Sequence, residues 1–152
     1  MILCRFCLKN DFLCSGCSEK LARGVMTDLD VAVSRSLHKI DDKADFVKAV
    51  GVDTVFIVAK HGGAPKIVGR SGKNVRQLER ELGKKVRIIE NSDTRSMTEA
   101  VLGVPVVGVN IVYNSGEKYR VRVSRVYRRR ITEQALQALN SILDKPADVV
   151  FE

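Results

Sequence analysis

The stretch Ile67-Val68-Gly69-Arg70-Ser71-Gly72-Lys73-Asn74 places a Gly-x-x-Gly turn between two short helical patterns, and apolar strands flank the pair. Gly69 and Gly72 carry no Cβ, so the turn can adopt positive φ and a phosphate can come close to main-chain N–H groups. The N-terminus of the following helix offers unpaired N–H donors and a partial positive charge, and Arg70 and Lys73 add full charges beside it. A chain built this way can bring bare backbone against a nucleic-acid backbone.

The neighbouring residues agree. Upstream, Val55-Phe56-Ile57-Val58-Ala59 is a β-branched and aromatic run that His61-Gly62-Gly63 breaks. Downstream, Val75, Leu78 and Leu82 repeat at helical spacing with Arg76 and Arg80 on another side; Gly83 stands at the C′ position, and Val86-Arg87-Ile88-Ile89 reads as a strand. The order strand, short helix, Gly-x-x-Gly, helix, strand resembles the core of a KH domain, whose loop clamps about four nucleotides of RNA. A nucleotide-binding P-loop does not fit the same residues. Its first glycine would fall on Ile67, and its magnesium-binding hydroxyl would fall on Asn74.

Charge follows the motif. The chain has a formal net charge of +8, which favours a polyanionic partner. Residues 60 to 87 hold nine Lys or Arg against Glu79 and Glu81, and residues 118 to 130 hold seven against none. These windows contain 16 of the 26 basic residues and leave the remainder net acidic, so the charge is concentrated as phosphate contact requires. The second window could also be a solvated basic loop. No apolar run approaches the length of a membrane span, and the cysteine-rich, charged N-terminus lacks a signal peptide's apolar run, so a cytoplasmic protein with no membrane partner is expected.

All four cysteines fall in the first 17 residues, as Cys4-x2-Cys7 and Cys14-x2-Cys17. Two such pairs with a short spacer can converge as a tetrahedral thiolate cage, with Lys9-Asn10-Asp11 as the turn between them and Gly16 letting the second knuckle tighten. One structural zinc ion is the expected occupant; two disulfides or an iron centre are the alternatives. A closed Cys4 cage has no vacant position for catalysis, and it should organise a fragment too small to have its own core.

The remaining chain reads as two related units, giving an α+β fold. Thr27 caps a helix carrying Leu29, Val33, Leu37 and Ile40; a strand from Phe46 to Val50 and the turn Gly51-Val52-Asp53-Thr54 then lead to the strand at Val55. The second unit has a helix from Arg95 to Leu102, a strand from Val106 to Tyr113, the hairpin turn Asn114-Ser115-Gly116, and an alternating strand from Tyr119 to Val123. A helix from about Ile131 to Leu143 and a strand from Val149 to Phe151 follow. Where the short helix and glycine turn would fall stands Ser124-Arg125-Val126-Tyr127-Arg128-Arg129-Arg130, so the reading gives this unit one helix fewer. Tyr127 within the arginine run could stack a base.

Two KH-like units, the first with Ile-Val-Gly-Arg-Ser-Gly-Lys-Asn and Leu-Glu-Arg-Glu-Leu-Gly-Lys-Lys-Val, resemble the archaeal NusA-like KH proteins, and the Cys4 motif resembles a branch of that family with an N-terminal zinc knuckle. The resemblance implies a zinc motif over 1–26, a type II KH domain over 27–91 and a degenerate KH-like unit without Gly-x-x-Gly over 92–152. It implies a non-catalytic protein that binds single-stranded RNA near RNA polymerase in transcription elongation or termination; a small-subunit ribosomal protein is the alternative. The residues expected at RNA are Lys66, Gly69, Arg70, Ser71, Gly72, Lys73, Asn74, Arg76 and Arg80, then Arg125, Arg128, Arg129 and Arg130. Those expected at metal are Cys4, Cys7, Cys14 and Cys17. An RNA-processing enzyme is the reading from another class. The chain has just two histidines, His38 and His61, and few acidic residues in the basic windows to supply a base or hold a catalytic metal, and no small-molecule substrate is expected.

Overall fold

A computed structural model describes residues 3–51, 53–113 and 115–152. Val52 and Asn114, each expected in a turn, lie outside the described residues. The fold is mixed α+β, with seven α-helices and two three-stranded sheets among the described residues. The chain divides into two compact units, Met1–Glu90 and Asn91–Glu152.

The first unit begins with two short helices, α1 (Arg5–Lys9) and α2 (Ser15–Ala22), where the sequence reading assigned only a knuckle. The fragment also has a small core, contrary to expectation. Leu3, Cys7, Cys17 and Met26 are buried together with Val31, and Leu8, Leu13 and Leu21 pack against them. Two helical turns are enough to point these side chains inward, and Val31 comes from the next helix. Gly16 is an ordinary residue of α2: a Cβ there would meet only Cys14 Sγ, at 4.0 Å, so its expected role in tightening the knuckle is not required.

Helix α3 (Asp28–Ile40) starts at a capping box in which Thr27 Oγ1 accepts from Asp30 N–H while the Asp30 carboxylate accepts from Thr27 N–H. The other oxygen of Asp30 accepts from Ala49 N–H at 2.8 Å, so one buried carboxylate ties the helix start to the first strand. That strand, β1 (Lys48–Val50), is shorter than the expected Phe46–Val50. Asp45 Oδ1 takes the Phe46 N–H, and Phe46 serves as a buried core residue ahead of the ladder.

Strand β1 pairs antiparallel with β2 (Thr54–Ala59), which pairs parallel with β3 (Lys85–Glu90). A parallel pair needs a crossover, and α4 (Ala64–Val68) and α5 (Lys73–Leu82) supply it. Val55, Ile57 and Ala59 of β2 share a core with Val33 and Leu37 of α3, Ile67 of α4 and Leu78 of α5. Alternation on the strand and the i, i+4 stripe on the helix therefore set which side of α4 and α5 is left to solvent.

The second unit has the same order: α6 (Thr94–Leu102), β4 (Gly108–Tyr113) antiparallel to β5 (Glu117–Val123), then α7 (Glu133–Ile142) and β6 (Ala147–Phe151) parallel to β5. Strand β4 starts two residues later than expected, because the Val106 carbonyl accepts from Arg95 Nη2 at 2.9 Å. Helix α7 starts later because Thr132 Oγ1 accepts from Ala135 N–H and makes Thr132 the cap. The helix expected to be missing has a counterpart: Arg125–Arg130 forms a 3-10 helix, started by Tyr127 N–H donating to Ser124 O at 3.1 Å.

Candidate nucleic-acid interface and metal centre

Helix α4 ends where Gly69 takes φ 75° and ψ 174°, a conformation open essentially to glycine alone. Ser71 (φ 55°) and Gly72 (φ 74°) follow in the left-handed region, and α5 begins at Lys73 with no side chain capping it. The Lys73 N–H donates to Arg70 O, and the start of α5 has no side-chain acceptor; Arg70 and Lys73 beside it are exposed. The two glycines differ in their surroundings. A Cβ on Gly72 would meet only Arg76 Nη1, at 3.8 Å, whereas a Cβ on Gly69 would stand 2.5 Å from Asn74 Cγ.

Of the residues expected at RNA in this unit, Lys66, Arg70, Ser71, Lys73, Arg76 and Arg80 are exposed on α4, the turn and α5. Asn74 is half-buried and turned toward Gly69: its Nδ2 donates to Lys66 O at 3.1 Å, which gives a carbonyl near the end of α4 a partner and braces the turn. Arg76 and Arg80 border a shallow groove with Glu79 on the outer side of α5.

Arg125, Arg128, Arg129 and Arg130 lie in the second unit and are all exposed. The Arg128 guanidinium stands over the Phe151 ring at 5.6 Å, and Arg130 over the Tyr127 ring at 5.8 Å. The ring expected to stack a base is therefore half-covered by its own chain.

The four cysteine sulfurs lie within 4.8 Å of one another, each a free thiol, and could hold a metal ion. Four sulfurs placed 2.3 Å from a zinc ion would be about 3.8 Å apart along the edges of a tetrahedron; Cys4 Sγ and Cys14 Sγ are separated by 3.8 Å. Backbone amides already point at the sulfurs, with Cys14 N–H donating to Cys7 Sγ at 3.1 Å and Cys17 N–H to Cys14 Sγ at 3.4 Å.

These bonds divide the set. The Cys7 N–H brings the Cys4 thiol down to about 6, and the Cys17 N–H lowers Cys14. At Cys7 the Cys14 N–H acts in the same sense, but burial and the adjacent sulfurs outweigh it and push the thiol up to about 12. Cys17 is raised as well, the Cys4 backbone bond being outweighed by burial and the neighbouring sulfurs.

Sequence patterns did not signal Arg35. Its Nε donates to Cys7 O at 3.2 Å and its Nη2 to Phe12 O at 3.4 Å, so one arginine of α3 holds the cysteine fragment across 28 residues of sequence.

No protein-family model and no curated protein matches this chain. A solved structure, "Crystal structure of APE1850", is similar with a TM-score of 0.59 at 18% identity, over 78% of this chain and 96% of that one. The similarity is one of fold.

Proposed function

We propose that this chain is a non-catalytic RNA-binding protein whose first unit is a type II KH domain taking single-stranded RNA along the Gly69–Gly72 turn. The observation that carries the reading is the uncapped start of α5 behind two positive-φ glycines, with Arg70 and Lys73 exposed at its rim. A helix start without a side-chain cap, its dipole and two cations then converge where a sugar–phosphate strand can approach the main chain. Helix α3 and strand β1 stand ahead of the β2–α4–α5–β3 core, which is the helix–strand extension of the type II arrangement.

The Cys4 cluster holds one structural zinc ion in this reading: sulfur donors at tetrahedral spacing suit zinc, and a fourth thiolate closes the site. A place in transcription elongation or termination rests on kinship with NusA-like proteins, and a ribosomal location is its rival. Sedimentation of cell extract at low and high salt distinguishes them, because a ribosomal protein stays with the small subunit.

RNA binding itself is tested by titrating unstructured RNA at rising salt. Contacts from Lys66, Arg70, Lys73 and Arg76 predict a log–log slope of about −3. An absence of saturable binding would overturn the proposal.

A further inference from the structure

Two clefts of the first unit lie end to end between the cysteine fragment and the glycine turn. The larger, of about 710 Å³, is lined by Arg5 and Lys9 of α1 together with His38, Asp42, Lys43 and Asp45. The smaller, of about 240 Å³, is lined by Lys43, Asp45, Lys60, His61 and Lys66 together with Gly62 and Gly63. Lys43 and Asp45 border both. Lys66 lies on α4 three residues before Gly69, so the second cleft opens at the edge of the turn.

Charge along this path is one-sided. Arg5, Lys9, Lys43, Lys60 and Lys66 outnumber the carboxylates Asp42, Asp45 and Glu90; Asp45 is ion-paired with Lys60 at 2.5 Å, and Glu90 accepts from Gly62 N–H at 2.8 Å. The glycines at 62 and 63 keep side-chain bulk out of the middle of the path. The Arg35 bonds to Cys7 O and Phe12 O fix the cysteine fragment against α3, which holds α1 at the far end.

We infer that the RNA strand leaving the glycine turn continues past Lys66 and Lys43 to Arg5 and Lys9, so that the Cys4 fragment serves as the outer end of one single-strand track. This rests on the RNA-binding reading above. A strand that fills both clefts exceeds the roughly four nucleotides of a lone KH loop and gains phosphate contacts from a stretch of chain that the metal organises. Affinity along the path comes mainly from phosphate contacts, because the lining is largely point charges and backbone, with the imidazoles of His38 and His61 beside them.

The test uses the zinc-loaded full chain and two fluorescent unstructured RNAs, of four nucleotides and of about twelve, each titrated over a range of salt. The longer RNA binds more tightly and with the steeper slope. Arg5→Gln with Lys9→Gln flattens the slope on the longer RNA by about 1.4 and leaves the short one unchanged. Lys20→Gln on α2 with Arg23→Gln at its C-cap, outside both clefts, removes the same charge and changes neither. Zinc content of each variant verifies that the cysteine fragment is intact. An unchanged slope for Arg5→Gln with Lys9→Gln, or an equal loss in the α2 variant, overturns the track while leaving RNA capture at the turn in place. Failure of the unaltered protein to bind either RNA overturns both readings.

Discussion

The Asn74 side chain occupies the space that a Cβ on Gly69 would need, while its amide donates to Lys66 O at 3.1 Å. The backbone conformation of Gly69 and the brace on the turn thus depend on each other. Gly69→Ala combines a Gly-only conformation, worth about 1–3 kcal/mol, with a clash against Asn74. Asn74→Ala loses one hydrogen bond, about 1 kcal/mol. Because alanine at 74 removes the contacts at 2.5 and 2.7 Å and leaves only its Cβ at 2.9 Å, the double variant should be more stable than the sum of the two losses predicts, which a double-mutant cycle of chemical denaturation measures. Strict additivity would mean that the two residues are independent.

Removing the proposed zinc ion should loosen residues 3–26 first. Their small core is built around Cys7 and Cys17, so a chelator that extracts about one zinc per chain leaves two of its buried side chains without their common anchor. Hydrogen exchange should rise across α1 and α2 and remain slow in β2 and β5. Uniform loosening of the whole chain would contradict this.

Arg35→Ala should detach the same fragment without disturbing the thiols. Two carbonyls, of Cys7 and Phe12, lose a charged donor, at about 1.5–3 kcal/mol for hydrogen bonds to a charged group. Limited proteolysis should cut near residues 10–13 faster in the variant at equal zinc content. Equal cutting rates would show that the small core suffices to hold the fragment.

In the second unit, Tyr119 Oη–H donates to Asp144 at 2.8 Å and, with Lys145 adjacent, holds the Asp144 carboxyl below its ordinary value of 3.8. A carboxyl with a lowered folded pKa stabilises the fold above its unfolded pKa and loses that contribution as pH falls through the folded value. Asp144→Asn should therefore melt slightly below the unaltered protein at pH 7, with the gap closing as pH falls below 3.8 and through the lowered folded value. The gap stays small because Asp144 is exposed. A gap that persisted into acid would assign the loss to packing instead.

Much of this fold is legible because its signals are local. Val75, Leu78 and Leu82 are one helical stripe, Gly83 takes the left-handed cap at φ 66°, and Thr27 caps α3. The errors fall where a distant side chain decides. The Val106 carbonyl is taken by Arg95, and the core of the cysteine fragment is completed by Val31 of α3, whereas the short β1 has a local cause, the adjacent Asp45 taking the Phe46 N–H. The cysteine spacing gave the cluster directly. Asn74 was legible as polar and adjacent to the turn, but its orientation toward Gly69 depends on the empty space there, which appears only once the turn is folded. Arg35 and Lys43 carry no pattern of their own, since their roles arise from helices packed together.

The central claim is that the Gly69–Gly72 turn receives an RNA backbone, and Gly72→Asp tests it most directly. A Cβ at Gly72 meets nothing closer than 3.8 Å, and aspartate enters the left-handed region more readily than most residues, so the protein should still fold, with its melt lowered only by backbone strain of about 1–2 kcal/mol. The added carboxylate would stand where a phosphate is expected, and affinity for unstructured RNA should fall about tenfold or more. A folded variant with undiminished RNA affinity would contradict the account.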